Sequence, residues 1–396
     1  MMDSYRRRPD FFADDKRRSW EDWMWQQRNA VRSVLGLKKI FQRFPVSWEK
    51  NAREWEQKGF RFLVTPYVLS LMVKDKKGNP SLRDPVWRQV FPYFAGRAAG
   101  TKNGPDEYSP KNENWEEKAE MLTPICQHKY DNRAIIFAAD SCLGYCMFCF
   151  RSLQSCAGEE RHGSLSLWER TLKEIRNRPK IEEVILSGGD PLVMGNEMLG
   201  KLFSDLRKIK TIRIIRIHTR AWTHNPFRID RGFCALLKKY EVTEMGVHVV
   251  HPVEISPDFL AAVARVRESK ANTMLLADIP LIKGVNDDVA VLRELFMSLF
   301  AAGVKPYYLS HNMPNIPHAG EQRTSVRDGL VIYNKLKRRI SNPAMPEYII
   351  THKTGKKTVP ECEEGTPDFV YGKHKNGWPV IRFKDWKGKW QTYLDA

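Results

Sequence analysis

From residue 134 onward the chain alternates short apolar runs with longer stretches in which apolar residues recur every three or four positions. The runs cover 134–140, 183–187, 212–218, 245–251, 273–282 and 305–310. The intervening stretches include LWERTLKEIRNR, EMLGKLFSDLRKI, GFCALLKKYE, DFLAAVARVRESK, VAVLRELFMSLFAAG and GLVIYNKLKRRI. Six such repeats predict an α/β fold of parallel strands joined by crossover helices. The strands are almost continuously apolar, which predicts a sheet covered on both faces. Six units suit either a doubly wound sheet or an incomplete barrel, and periodicity alone leaves both open.

The flanks read differently. Ser19 precedes Trp20, Trp23, Met24 and Trp25 on a helical pattern with Asp22 in a capping position, and a second helix is predicted over 47–57, closed by Gly59. Residues 74–117, rich in Gly, Pro, Asn and charge, read as loops and short helices. Past residue 345 come a further strand, YIITHK, and a hairpin in GWPVIRFKDWKGKWQTYL with Lys387-Gly388 near its turn. Three parts follow: a helical region over 1–125, the βα array over 126–345 and a C-terminal segment over 346–396.

Composition narrows the classes. No apolar run approaches the length that spans a bilayer, and MMDSYRRRPDFFADDKRR lacks the apolar stretch of a secretory signal. A cytoplasmic protein with no membrane partner is expected. Lys plus Arg exceed Asp plus Glu by 65 − 47 = 18, a field that attracts anions. The positive residues lie in short scattered runs without a nucleic-acid motif, which disfavours nucleic acid as the partner. Seven cysteines, an odd number, argue against a disulfide framework. Cys126, Cys156, Cys234 and Cys362 stand apart and read as ordinary thiols.

The other three cysteines, Cys142, Cys146 and Cys149, lie in DSCLGYCMFCFRS just after the first strand of the array. Thiolates so spaced on one loop can converge on a metal centre. Structural zinc needs four ligands and no second cysteine pair exists, although Cys156 or His162 could complete a site. A cubane iron-sulfur cluster usually takes four cysteines; with three, one iron keeps an open position for a small ligand.

The three-cysteine loop, followed one strand later by ILSGGDPL, resembles the radical S-adenosylmethionine superfamily. Further segments narrow the likeness. DWMWQQRN, TPYVLSL, DPVWRQ, IIRIHTRA, VHVVHPVEI, LIKGVND, KPYYLS, KKTVPE and VIRFKDWKGKWQTY are similar, in order, to the lysine 2,3-aminomutase family. The resemblance implies a partial (βα)6 barrel with a helical N-terminal region and a small C-terminal β extension. It also implies an isomerase that moves an α-amino group to the β-carbon. A [4Fe-4S] cluster on Cys142, Cys146 and Cys149 would bind S-adenosylmethionine, with Ser187, Gly188, Gly189 and Asp190 along its methionine moiety, and pyridoxal 5′-phosphate would be the second cofactor.

Residue by residue, the likeness implies Lys357 as the Schiff-base lysine, with Lys356 as the alternative, and Tyr130 and Arg133 as donors to the cofactor phosphate. Arg151, two residues after Cys149, would hold the substrate carboxylate, as a guanidinium fork suits. Where lysine-specific members carry two aspartates, this chain has His311, Asn312, His352 and Lys353. An acidic or neutral polar substrate side chain is therefore expected ahead of lysine. Lysine held by Asp278 or Glu321 stays open, as does a relative acting on a protein-bound lysine. An acidic donor such as a flavodoxin or ferredoxin would reduce the cluster, steered by the basic surface. No structural zinc is implied, and a homo-oligomer is left open.

Overall fold

The computed structural model describes residues 3–57, 63–92, 118–151, 165–314, 316 and 319–395. Its centre is a ten-stranded sheet with strands in sequence order. These are β1 (Met121–Thr123), β2 (Cys126–Tyr130), β3 (Arg133–Ala139), β4 (Glu183–Gly188), β5 (Ile214–Thr219), β6 (Glu244–His248), β7 (Met274–Leu281), β8 (Lys305–His311), β9 (Glu347–His352) and β10 (Gly355–Thr358). From β3 to β9 every neighbouring pair is parallel; β1–β2, β2–β3 and β9–β10 are antiparallel. The expected α/β class with a partial barrel is present, with one parallel strand more than six. YIITHK is the seventh, so 347–358 of the C-terminal segment extends the barrel sheet.

The sheet curls until its ends meet. The Lys356 backbone N–H donates to the Tyr130 hydroxyl at 3.1 Å, and Lys129 Nζ donates to the Lys353 carbonyl. Crossover helices cover the outer face, among them Leu165–Arg176, Asn196–Arg207, Arg231–Lys239, Pro257–Glu268, Val289–Ala301 and Val326–Leu336. Outward residues such as Ile215, Ile217, Met245 and Val247 are wholly buried against them. The strands are thus not uniformly apolar: β5 alternates buried Ile215 and Ile217 with inward Arg216 and His218. This is the period of two that a one-sided apolar environment produces.

Residues Asp22 and Ser33 cap short N-terminal helices through bonds to Met24 N and Gly36 N. Asp22 therefore starts a helix at Trp23–Arg28, separate from the turn Arg17–Trp20, where the sequence suggested one helix. Trp20, Trp48, Trp55, Trp87 and Phe91 form the core of this region, and Met147 from the cysteine loop packs into it. The predicted second helix is Val46–Gln57; Gly59, and 93–117 of the predicted loop stretch, lie outside the described residues. The predicted hairpin forms two strands of a three-stranded antiparallel sheet, β11 (Phe369–Lys373), β12 (Pro379–Lys384) and β13 (Trp390–Leu394).

Candidate functional site

The cysteine loop leaves the C-terminal end of β3 and is held from two sides. The N-terminal region supplies Gln27 Nε2 to the Leu143 carbonyl at 3.0 Å, the Leu63 carbonyl to Tyr145 N–H at 3.1 Å and the Gln89 carbonyl to Met147 N–H at 2.8 Å. From the barrel, Gly189 N–H donates to the Ala139 carbonyl at 2.6 Å and Asp190 N–H to the Ser141 carbonyl at 2.8 Å. A Cβ on Gly189 would lie 2.2 Å from the Ser141 oxygen, and Gly188 has φ +115° with the Ala139 oxygen 2.5 Å from its ideal Cβ. The two glycines are required by the contact between the turn and the loop.

Asp190 is wholly occupied. It accepts from Leu192 N–H, the Thr219 hydroxyl and Arg220 N–H, so its side chain ties the β4 turn to the β5 turn and does not project toward a ligand. Ser187 accepts from Arg151 Nη1 at 3.4 Å. The Arg151 guanidinium lies 4.5 Å from the Phe137 ring and 4.8 Å from that of Phe150, an arrangement that pre-orients its fork.

Cys142, Cys146 and Cys149 are half-buried thiols on one loop, in which a turn is closed by Cys149 N–H donating to the Cys146 carbonyl. Burial pushes the Cys146 thiol up to about 12, opposed chiefly by Arg220. A thiolate there needs more positive charge than Arg220 alone supplies, which a metal ion provides. Arg220 itself is buried. It donates to Gln89 Oε1 at 2.5 Å, Glu254 Oε1 at 2.9 Å and His224 Nε2 at 3.2 Å, and lies 5.0 Å from the Phe148 ring. Its Nη1 has no hydrogen-bond partner among the described residues. The loop thus offers three soft ligands beside an unsatisfied buried donor, a fit for an anionic iron-sulfur centre. Cys156 and His162, the alternatives for a zinc site, lie outside the described residues.

Inside the barrel lies a second polar group. Arg216 bridges Glu183 (3.0 Å) and Glu244, and its Nη2 donates to His218 Nε2 at 3.2 Å. His218 Nδ1 lies 3.6 Å from Asp278 Oδ2, and its ring is 5.6 Å from that of His248. Burial lowers both imidazoles, His218 well below its ordinary value. One ligand atom each of His218, His248 and Asp278 fall within 4.8 Å of one another, which would suit a cation. Arg216 and Lys356 already bring positive charge to that spot.

The β9–β10 register sends the two lysines to opposite faces of the sheet. Lys356 pairs with Thr351 and Lys357 with Ile350. Tyr348, Ile350 and His352 face outward: the Tyr348 hydroxyl donates to the Val326 carbonyl of an outer helix. Thr351 and Lys356 therefore face the lumen and Lys357 does not. Lys356 Nζ sits 3.8 Å from the centre of the Tyr308 ring. Water reaches the Lys356 side chain through the open lumen, yet protein surrounds it; that burial lowers its ammonium, while Asp278 is the strongest charge opposing the shift. Tyr130 and Arg133, opposed across the β2–β3 hairpin, stand at the same end. The Arg133 guanidinium lies 4.7 Å from the Tyr130 ring, and Tyr130 bonds the Lys356 backbone. A lysine, a phenol and a guanidinium so grouped fit an aldehyde cofactor with a phosphate tail.

The residues expected to line the side-chain pocket do not gather there. His311 donates and accepts between the Tyr393 hydroxyl and the Thr324 carbonyl, both at 2.8 Å, on the outer face of β8. Asn312 is buried and donates to the Gln322 carbonyl. The His352 ring packs edge-on against Phe383 of the small sheet, and Lys353 is exposed, its carbonyl taken by Lys129. Burial holds His311 near 3 and His352 near 4, so both are neutral. Their inward neighbours are Ser310, Ile349 and Thr351. Glu321 lies on the short helix Ala319–Gln322 beyond β8, whereas Asp278 is inside.

Sequence reasoning passed over Arg216, His218, Glu244 and His248, although a signal existed: charged or imidazole residues at every second position of otherwise apolar parallel strands mark an inner face. Arg220, Gln89 and Glu254 carried no such signal, because they meet only through packing of the N-terminal region on the barrel.

Residues 136–295 match the profile of the Radical SAM superfamily. The chain is 30% identical over 395 residues to L-lysine 2,3-aminomutase of Acetoanaerobium sticklandii, covering 97% of this chain and 86% of that protein. A putative L-lysine 2,3-aminomutase of Aquifex aeolicus is 31% identical over 356 residues (88% and 90%). Glutamate 2,3-aminomutase of Clostridioides difficile is 27% identical over 373 residues (93% and 82%).

Proposed function

The chain belongs to the lysine 2,3-aminomutase family of the radical S-adenosylmethionine superfamily, and from that premise we propose that it shifts the α-amino group of an uncharged amino acid to the β-carbon, with Lys356 as its pyridoxal lysine. As a radical aminomutase it is an isomerase. The observation that carries the assignment of Lys356 is the β9–β10 register, which turns this residue, and not Lys357, into the lumen capped by the cysteine loop. Lys357, which the family resemblance implied, faces away from the lumen, because adjacent strand residues face opposite sides of a sheet.

The cluster with S-adenosylmethionine supplies a carbon radical, and the pyridoxal ring supplies a π-system across which nitrogen can pass. The protein's share is placement. Cys142, Cys146 and Cys149 hold iron at the mouth of the barrel, and the glycines of the Ser187–Asp190 turn let backbone approach closely there. Arg151, its guanidinium stacked between Phe137 and Phe150, holds the substrate carboxylate at that end. Tyr130 and Arg133 hold the phosphate at the opposite end. Six residue steps along β3 separate Arg133 from Ala139, about 20 Å at the usual rise of a strand, room for both cofactors in line.

The lumen faces of β8 and β9 present Ser310, Ile349 and Thr351, which favours a neutral side chain. His311, His352 and Lys353 point elsewhere and offer nothing to an acidic substrate side chain. Lysine remains the second reading because Asp278 is a carboxylate inside the lumen. An acidic flavin or iron-sulfur donor in a reducing cytoplasm completes the reading, supported by the net charge of +18.

Borohydride reduction of the pyridoxal-loaded enzyme followed by peptide mapping should label Lys356, and a label on Lys357 would overturn the assignment. The reduced enzyme offered a panel of L-amino acids should give β-amino acids from neutral substrates; turnover of lysine alone would establish the second reading.

A further inference from the structure

Inside the barrel the charges do not close without Lys356. Arg216 lies between Glu183 and Glu244, one cation between two carboxylates. Asp278 adds a third carboxylate, facing His218. A guanidinium can only donate, so the Arg216 Nη2 contact at 3.2 Å leaves His218 Nε2 as acceptor and puts the ring proton on Nδ1, facing Asp278 Oδ2 at 3.6 Å. Asp278 thus faces a neutral ring N–H at a distance too long for a hydrogen bond. Its Oδ1 is buried and has no hydrogen-bond partner among the described residues. Asp278 and Tyr308 are direct partners across β7 and β8, and Lys356 Nζ lies over the Tyr308 ring at 3.8 Å. One aromatic ring therefore joins the unsatisfied carboxylate to an ammonium.

We propose that Asp278 is the counter-ion of Lys356, accepting the lysine ammonium through Oδ1 whenever Lys356 is not covalently engaged. The proposal rests on the reading of Lys356 as the pyridoxal lysine and deepens it. A lysine that leaves its covalent partner as an ammonium must be kept from returning while substrate occupies the site, and a carboxylate one strand away does this by stabilising the protonated, non-nucleophilic form. The groups that face Lys356 are Asp278 from β7, Glu244 and His248 from β6, Arg216 and His218 from β5, Arg133 from β3 and Tyr308 from β8. Glu244 is engaged by Arg216, the two cations repel the ammonium and the imidazoles are neutral. Asp278 is the one group in this set with a free anionic oxygen.

The test uses cofactor-free full-length protein, in which Lys356 is titrated by its rate of modification with trinitrobenzenesulfonate, read by peptide mass spectrometry with Lys357 as internal control. Asp278→Asn should lower the midpoint for Lys356 by about one pH unit, a roughly tenfold faster modification near neutrality, with Lys357 unchanged; Asp278→Glu should restore much of the wild-type profile. Asp278→Ser serves as the second neutral variant should the asparagine protein fail to fold. An unchanged Lys356 midpoint in a folded neutral variant overturns the proposal. So does stoichiometric zinc binding that needs Asp278 and leaves the Lys356 midpoint where it was, which would make the His218, His248 and Asp278 group a metal site. Failure of the underlying reading looks different: the borohydride label on wild-type enzyme would then miss Lys356 while the titration stands on its own.

Discussion

Arg220 and Glu254 allow a prediction in which the order of two effects is fixed by the hydrogen bonds each leaves behind. Their side chains are 9% and 3% exposed and meet at 2.9 Å. Breaking a buried pair by removing one partner costs about 3–5 kcal/mol, because the survivor stays buried and charged. In Arg220→Ala the survivor is Glu254, which still accepts from Val250 N–H and His251 N–H, both at 2.8 Å. Its charge is not abandoned, so the cost should sit near the lower end, about 3 kcal/mol. In Glu254→Ala the survivor is Arg220, which keeps Gln89, while two backbone N–H groups lose their acceptor. Unsatisfied buried donors cost roughly 1–3 kcal/mol each, so this variant should lose about 5 kcal/mol or more. The measurement is the urea midpoint of the iron-free protein, followed by tryptophan emission because the pair abuts the tryptophan-rich N-terminal core, with the slope required to match wild type. Equal losses, a reversed order, or a cost under about 1 kcal/mol for Arg220→Ala would refute the account of how the N-terminal region is tied to the barrel.

Replacing Cys142, Cys146 or Cys149 with Ala should abolish bound iron and S-adenosylmethionine cleavage, while Cys234→Ala keeps both, checked by iron analysis and product chromatography. Gly355→Ala should weaken pyridoxal phosphate binding at least tenfold by equilibrium titration, because Gly355 has φ +130° and a Cβ there would lie 2.4 Å from the Tyr130 hydroxyl. Burial lowers His311 to about 3, against about 6.5 unfolded, so in that interval the unfolded chain binds more protons and stability falls as pH drops. Denaturation midpoints between pH 6.5 and 4 should fall less steeply in His311→Gln than in wild type, by up to about 1.4 kcal/mol per pH unit.

What the sequence determined by itself is the part of the structure that depends on neighbours along the chain. Hydrophobic period alone located the barrel helices and the strands from β3 to β8, and the cysteine spacing placed the three-cysteine loop after the first parallel strand, because period and spacing are local properties. The family, too, was legible in ordered motifs from DWMWQQRN to KWQTY. Tertiary pairing decided which side each strand residue faces. Lys356 and Lys357 are chemically the same and adjacent, and only the pairing of Gly355 with His352 assigns one to the lumen. Likewise His311 and His352 look like pocket residues in sequence, but β8 and β9 present them to Tyr393 and Phe383 of the small sheet, 82 residues further along the chain in the first case and about 30 in the second. The side-chain period of a strand is two, so a shift of one residue exchanges inside for outside, and no local pattern in HKTGKKTVPE carries that choice.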